Sequence, residues 1–373
     1  MKKIKIGFVG AGWMGSVQMQ RICERKDTAI IALFEKNYQR GREVLKNLGL
    51  SEHLLVSDYN DIINNNDIDA VWLVSPNSFH GPQSIVAMQA GKHVFCEKPA
   101  STKFTDFCKQ IELEKANPKL ITFVDYLMNF SPMEIRICQM VRENKFGKIT
   151  QIQINYRHPI NIAGDKIWKL DQNIMGDALG MGIIHSISAM VNAMSPQTKP
   201  VGVFALSLPA QVRPFQSDPI WNLLLRFDNG AVGFCAGNID NANGYDAYHN
   251  IHGTKGGLIF DSYLERTHKI RLWSEDIANG RWIRALDKSD AGEFAWPDDT
   301  ATPDSGNVVE HQTEACVGHF IDCIKNKTQS PLSFVNSQVI AEIGWAAQIS
   351  TKTHKEIRLP LDLSEAATFF ENS

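Results

Sequence analysis

No stretch of the 373-residue chain approaches the roughly 20 consecutive apolar residues that cross a bilayer, so no membrane-spanning helix is expected. An excess of one charge is also missing. Thirty-eight Lys and Arg against 41 Asp and Glu leave a net charge of -3, without the basic bias that a nucleic-acid or anionic-membrane surface requires. The seven cysteines (Cys23, Cys96, Cys108, Cys138, Cys235, Cys316 and Cys323) are odd in number and form no C-x-x-C pair. They read as reduced, mostly buried thiols, not as a disulfide framework. His249 and His252 lie near each other but lack a neighbouring cysteine or supporting acid, so they read as part of a strand and turn, and no metal is expected. Internal repeats and low-complexity tracts are absent too. The opening "MKKIKIGFVGAGWMG" faintly resembles a leader, yet Lys5 interrupts its apolar part and it runs straight into glycines. It is read as a first strand, and the protein as cytoplasmic.

What is present is an ordinary globular composition, 43% apolar and 21% charged, on a chain too long for one core, so two domains are expected. In the first 124 residues short β-rich runs alternate with helical ones. Strands are expected at Ile4–Val9, Ala29–Phe34, Ala70–Ser75, His93–Cys96 and Leu120–Val124, and helices at Met14–Glu24, Tyr38–Leu48, Ser78–Ala90 and Lys103–Lys115. This α/β alternation implies a doubly wound parallel sheet, a Rossmann-type domain over 1–124. Then the pattern changes. A helix around Pro132–Glu143 leads to a strand at Ile149–Tyr156, and further strands follow at Val201–Leu208, Trp221–Phe227, Ala231–Gly237, Leu258–Phe260 and Ile270–Trp273. Asn229-Gly230 signals a hairpin. Residues 125–373 are therefore expected to form an α+β domain on an open, mostly antiparallel sheet, completed by helices at about Val309–Lys325 and Val335–Thr351. "DDTATPDSG" (Asp298 to Gly306) is a polar loop.

"GFVGAGWMGSVQMQR", residues 7–21, places Gly10, Gly12 and Gly15 between a strand and a helix inside a βαβ unit. Gly10 permits a tight turn, Gly12 lets the backbone approach a pyrophosphate, and Gly15 lets helix and strand pack closely. The amides at the helix start, including those of Trp13 and Met14, would face the phosphates. Glu35 lies 20 residues beyond Gly15, where a carboxylate accepts hydrogen bonds from the adenosine ribose and repels a 2′-phosphate. NAD is the expected cofactor. Lys36 beside it weakens that preference slightly. The alternative is a structural glycine turn with a surface glutamate.

With "GAGWMG", two further stretches at strand ends, "SPNSFH" (Ser75 to His80) and "CEKPA" (Cys96 to Ala100), resemble the glucose–fructose oxidoreductase / inositol dehydrogenase / rhizopine-catabolism (Gfo/Idh/MocA) family. The resemblance continues through "FSP" (Phe130 to Pro132), "GKI" (Gly147 to Ile149), "HGTKGGLIF" and the closing helices, covering nearly the whole chain. It implies NAD(P)-dependent oxidation of a secondary alcohol on a sugar, sugar nucleotide or cyclitol, with homodimers or homotetramers built through the C-terminal sheet. It adds Ser75, Pro76, Asn77, His80, Glu97 and Lys98 to the expected cofactor contacts. "YRHP" and "NGYDAYHNIHG" are most similar to the inositol dehydrogenase branch.

Lys98 ends a strand, and the resemblance makes it the group that hydrogen-bonds the substrate oxygen; the alternative is a surface lysine. His185, in "GDALGMGIIHSISAM", is either a satisfied core histidine or, as the resemblance implies, the proton acceptor. The family pattern has an acid four residues earlier, where this chain has Met181. Asp177 stands eight residues before His185, about 12 Å along a continuous helix, unless Gly180 and Gly182 break it. Tyr126, His158, Trp168 and Tyr245 are candidate substrate contacts, with core packing as the alternative for each aromatic. Asn129 stands where many relatives carry arginine, which points to a neutral substrate. Two other functions fit the same features: transient oxidation that enables elimination or glycoside cleavage, and a nucleotide-sensing regulator without turnover. The missing acid favours the regulator; Lys98 and His185 together count against it.

Overall fold

The computed structural model describes residues 3–242, 244–298, 300–302 and 312–372. Its contacts group the chain into two units: 1–126 with 173–176 and 312–338, and 127–172 with 177–311 and 339–373.

The first unit carries six strands: β1 (Ile4–Val9), β2 (Thr28–Phe34), β3 (Leu55–Val56), β4 (Ala70–Leu73), β5 (His93–Cys96) and β6 (Thr122–Val124). All pair in parallel, in the order β3-β2-β1-β4-β5-β6. Such sheets are covered on both faces, which is why β1, β4 and β5 read as unbroken apolar runs. Phe8, Trp72, Phe95 and Phe123 stand in register across β1, β4, β5 and β6. Trp72 stacks on Phe95 at 3.9 Å between ring centroids, and Phe320 meets both edge-on. Phe320 comes from the helix Thr313–Asn326, which packs on the first helix, Trp13–Glu24. That helix, expected at about Val309–Lys325 within the second domain, is thus part of the first unit. The helix Tyr38–Asn47 runs through Gly41, where a side chain would press on Leu55. The start of the expected helix at Val309, most of the loop Asp298–Gly306 and Asn243 lie outside the described residues.

The second unit holds nine strands: β7 (Ile149–Arg157), β8 (Pro200–Leu208), β9 (Ile220–Phe227), β10 (Val232–Asn238), β11 (Asp246–Gly253), β12 (Gly256–Asp261), β13 (Ile270–Ser274), β14 (Ile283–Arg284) and β15 (Ile357–Arg358). Their order is β14-β13-β12-β11-β7-β10-β9-β8-β15, antiparallel except for the parallel pair β7 and β10. Asn229-Gly230 turns the β9–β10 hairpin, with Gly230 at φ 87°. One face of the sheet packs on helices that include Pro132–Arg142 and Ile184–Met194. The other face is open, and Leu206, Leu224 and Val232 are exposed on it.

Glu134 of the helix Pro132–Arg142 meets His249 of β11 at 2.6 Å, both fully buried. His249 is therefore a tie between helix and sheet. None of the described helices is long and apolar enough to cross a membrane.

Candidate functional site

In a parallel sheet every strand delivers its following loop to the same edge, where ligands of open α/β sheets bind. After β1 the backbone turns at Gly10, with φ 94°; a Cβ there would come within 2.5 Å of the Val74 carbonyl oxygen. A Cβ on Gly15 would overlap the Gly10 carbonyl oxygen, whereas one on Gly12 would meet nothing within 4 Å. Gly12 is the N-cap of Trp13–Glu24, and no side chain caps that helix. Gly10 and Gly15 thus serve the fold, and Gly12 leaves a bare, dipole-positive helix start open to a ligand. That arrangement fits a dinucleotide pyrophosphate.

Glu35 follows β2 and is buried. Its Oε2 accepts the Ala11 N–H at 2.7 Å, and its Oε1 accepts the Asn37 N–H at 2.8 Å and pairs with Arg40 at 2.6 Å. The carboxylate expected to meet the ribose therefore also braces the glycine loop. After β4, Ser75 donates from Oγ to Gln83 at 2.6 Å. His80 is buried, its Nε2 2.7 Å from the Ser75 carbonyl and its Nδ1 2.8 Å from the Pro99 carbonyl. Burial holds this imidazole below its ordinary pKa. His80, expected among the cofactor contacts, stands between the loops after β4 and β5, and its neutral ring donates to one of the two carbonyls. Asn77 is likewise buried and donates to the Met175 carbonyl at 2.8 Å. At the end of β5, Glu97 is buried and its Oε2 accepts the Lys98 N–H at 3.2 Å. Burial pushes the Lys98 amine down, and Glu97 and Asp125 oppose that shift. Tyr126, expected to contact substrate, is 2% exposed, and burial pushes its phenol up.

In the second unit His185 sits in the first turn of Ile184–Met194, 5% exposed. A π-helical turn, Leu179–Ile183, precedes it, so the stretch from Asp177 to His185 is not a regular α-helix. Such turns recur at functional sites. Met181 lies inside this turn, its N–H on the Asp177 carbonyl at 3.1 Å. The Asp177 carboxyl accepts the Gly180 N–H at 2.8 Å and a hydrogen bond from the Gln348 side chain. Burial raises it to about 6 against hydrogen bonds from the Gly180 and Leu179 N–H groups.

Tyr156 on β7 ties the candidates together. Its ring meets His185 at 5.5 Å, His158 at 4.9 Å and Tyr245 at 5.7 Å, all edge-on, while His158 and Tyr245 stack at 5.4 Å. Sequence reasoning missed Tyr156 as a site residue. The signal was its place two residues before His158, which would put it on the same face of an extended strand. Arg213 donates to the Ile160 carbonyl at 2.6 Å and to that of Asn241, which pins the loops bearing His158 and Tyr245. Trp168 lies in the 3₁₀ segment Gly164–Leu170, with the Lys169 ammonium 5.9 Å from its ring centroid. Asn129 donates to Ser188 Oγ at 2.7 Å, so it braces the His185 helix. Among the described residues no group of three or more His, Cys, Asp or Glu could hold a metal ion.

Residues 4–126 match the oxidoreductase family with an NAD-binding Rossmann fold, and residues 135–259 match the GFO/IDH/MocA C-terminal domain. The chain is 26% identical over 271 residues to myo-inositol 2-dehydrogenase of Thermotoga maritima, covering 71% of this chain and 77% of that one. It is 24% identical over 339 residues to levoglucosan dehydrogenase of Pseudarthrobacter phenanthrenivorans, covering 80% and 84%. A solved levoglucosan dehydrogenase in complex with NADH and levoglucosan superposes with a TM-score of 0.80 at 21% identity, covering 96% of this chain and all of that one.

Two outcomes are expected from this geometry. Gly12→Ala should keep the wild-type melting temperature and bind NAD at least about tenfold more weakly, a loss of roughly 1.4 kcal/mol. Gly15→Ala should instead destabilise the fold by about 1–3 kcal/mol. Calorimetric titration and thermal melts separate the two, and a Gly12→Ala protein with unaltered affinity would place the pyrophosphate elsewhere. The second concerns Asp177. Its folded-state pKa of about 6 stands above the ordinary 3.8, so the folded chain keeps a proton that the unfolded chain releases. Its contribution to stability is full below the lower value, is lost as pH rises toward the higher one, and is level above it. Asp177→Asn should therefore gain on wild type by roughly 2–3 kcal/mol between about pH 4 and about pH 8 in urea unfolding. Parallel pH responses in the two proteins would contradict the raised value.

Proposed function

The chain belongs to the Gfo/Idh/MocA family of NAD-binding oxidoreductases, and from that premise we propose that it is an NAD-dependent dehydrogenase of a secondary alcohol on a neutral cyclic polyol, sugar or sugar derivative. The observation that carries this is the group formed by Tyr156, His158, Tyr245 and His185. Phenols and imidazoles give and accept single hydrogen bonds, as hydroxyl groups require. The nearby Arg213 guanidinium, which would select a carboxylate or phosphate, is turned onto backbone carbonyls. Inositol and levoglucosan, named in two relatives, are neutral rings of this kind and support the reading.

NAD, held by the glycine loop and Glu35, supplies the two-electron acceptor when bound. In the proposed reaction His185 takes the hydroxyl proton, and Lys98 hydrogen-bonds the oxygen as negative charge develops there. Ser75, Pro76, Asn77 and Glu97 shape the cofactor's surroundings through the loops after β4 and β5. Tyr156, His158 and Tyr245 orient the ring, with Trp168 and Tyr126 as further contributors. Asp177 occupies the chain position nearest the acid missing at Met181. All seven cysteines are free, which supports a reducing, cytoplasmic setting.

A spectrophotometric screen of cyclitols, aldoses and anhydrosugars with NAD tests this. NADH should accumulate in steady state, and His185→Ala should lower kcat/KM by about 10²–10⁴-fold. Lys98→Met should be impaired as well. Substrate loss without NADH would favour transient oxidation coupled to bond cleavage, and an unaffected Lys98→Met protein would favour the regulator. The exposed Leu206, Leu224 and Val232 on the open sheet face support a homodimer or homotetramer formed there. Light scattering should give a multiple of the 41.8 kDa chain for wild type and a smaller species for Leu224→Glu. A monomeric wild type would refute this assembly.

A further inference from the structure

Behind the ends of β5 and β6 the first unit buries two carboxyl groups whose pairing the proposed reaction leaves unexplained. Gln18, wholly buried in Trp13–Glu24, accepts the Trp72 indole N–H at its Oε1, 2.7 Å away. An indole only donates, so this bond fixes the amide, and Nε2 faces the acids. It donates to Glu97 Oε1 at 2.8 Å and to Asp125 Oδ2 at 3.0 Å. Two carboxyl groups thus meet on one amide nitrogen in a dry site.

Asp125 is 1% exposed, and its Oδ1 is buried with no hydrogen-bond partner among the described residues. An ionised oxygen left in that state is costly. A protonated one needs only an acceptor, and Glu97 is adjacent. Burial, then the Glu97 charge, push the Asp125 carboxyl well up against a hydrogen bond from the Cys316 thiol and the Lys98 charge, and it gives its own hydrogen bond to Glu97. Burial also raises Glu97, against the pull of Lys98. The other titratable groups facing this site are neutral near pH 7. Burial pushes the Cys96 and Cys316 thiols and the Tyr126 phenol up, and the His80 imidazole down. Lys98, whose charged form both carboxyl groups favour, is left as the cation that interacts with the pair.

We propose that Asp125 is a positioning residue for Lys98: it holds one proton against Glu97, so that the pair presents a single negative charge beside the amine. Two charges would bind the ammonium into a fixed ion pair, and none would leave an amine in a largely dry loop to lose its proton. One charge keeps Lys98 protonated and available to a developing oxyanion. The inference rests on the role given to Lys98 above.

The test is the rate at which acetic anhydride acylates Lys98, followed by peptide mass spectrometry across pH in wild type, Glu97→Gln and Asp125→Asn. Only the neutral amine reacts. An opposite charge at close range moves a pKa by about 1–3 units, so Glu97→Gln should label about 10–1,000-fold faster below the midpoint. Asp125→Asn, a neutral stand-in, should follow the wild-type curve. Acceleration in Asp125→Asn, or none in Glu97→Gln, overturns the proposal. Infrared spectroscopy of wild type at about pH 8, where Asp177 is ionised, requires no variant. A protonated-carboxyl band is expected there, and its absence overturns the proposal independently. Labelling does not depend on turnover. The expected pattern in a protein without dehydrogenase activity would count against the proposed function and leave the acid pair standing.

Discussion

Strand direction is the constraint on which the first unit depends. Because β1, β2, β4, β5 and β6 run parallel, the loops carrying Gly12, Glu35, Asn77, Lys98 and Asp125 all leave at one edge of the sheet. Their spacing is set by the row of Phe8, Trp72, Phe95 and Phe123 behind them. Trp72 links this apolar row to the polar residues, since the same indole that stacks on Phe95 also orients Gln18. A change in the core would therefore reach the acid pair through one side chain.

Buried polar ties repeat this logic elsewhere. Glu114 accepts from Thr122 Oγ1 at 2.6 Å and from the Val335 N–H at 3.2 Å, while Gln329 donates to the Leu120 carbonyl at 2.9 Å. These bonds recruit residues 312–338 to the first unit. In the second unit Glu134 and His249 join helix to sheet in the same way. Removing one member of such a pair strands its partner in a dry interior, which costs more than the intact pair contributes.

Much of this was readable from the chain, for physical reasons that differ by element. Ile4–Val9 and His93–Cys96 emerge with the expected bounds, because a strand covered on both faces must be apolar throughout. The two-residue strands Leu55–Val56 and Ile357–Arg358 carry too little sequence for any period to show. The helix bearing Phe320 was legible as a helix, but its partner was not, since an amphipathic face does not name the sheet it will cover. Before His185 the glycines Gly180 and Gly182 signalled a possible break, but apolar residues at near-helical spacing did not reveal that it takes the form of a single π turn. Tyr156 was hidden because alternation along a strand marks a face without saying what else lies on it.

Both sheets end in very short strands: β3, β14 and β15 are two residues each. Beyond β6, the Val124 N–H is taken by the Leu332 carbonyl at 2.8 Å. A border with so few unpaired amides offers little template for another chain to extend, which discourages fibril-like growth strand upon strand. The same short borders leave the strand-edge amides of both sheets few places to meet a second backbone.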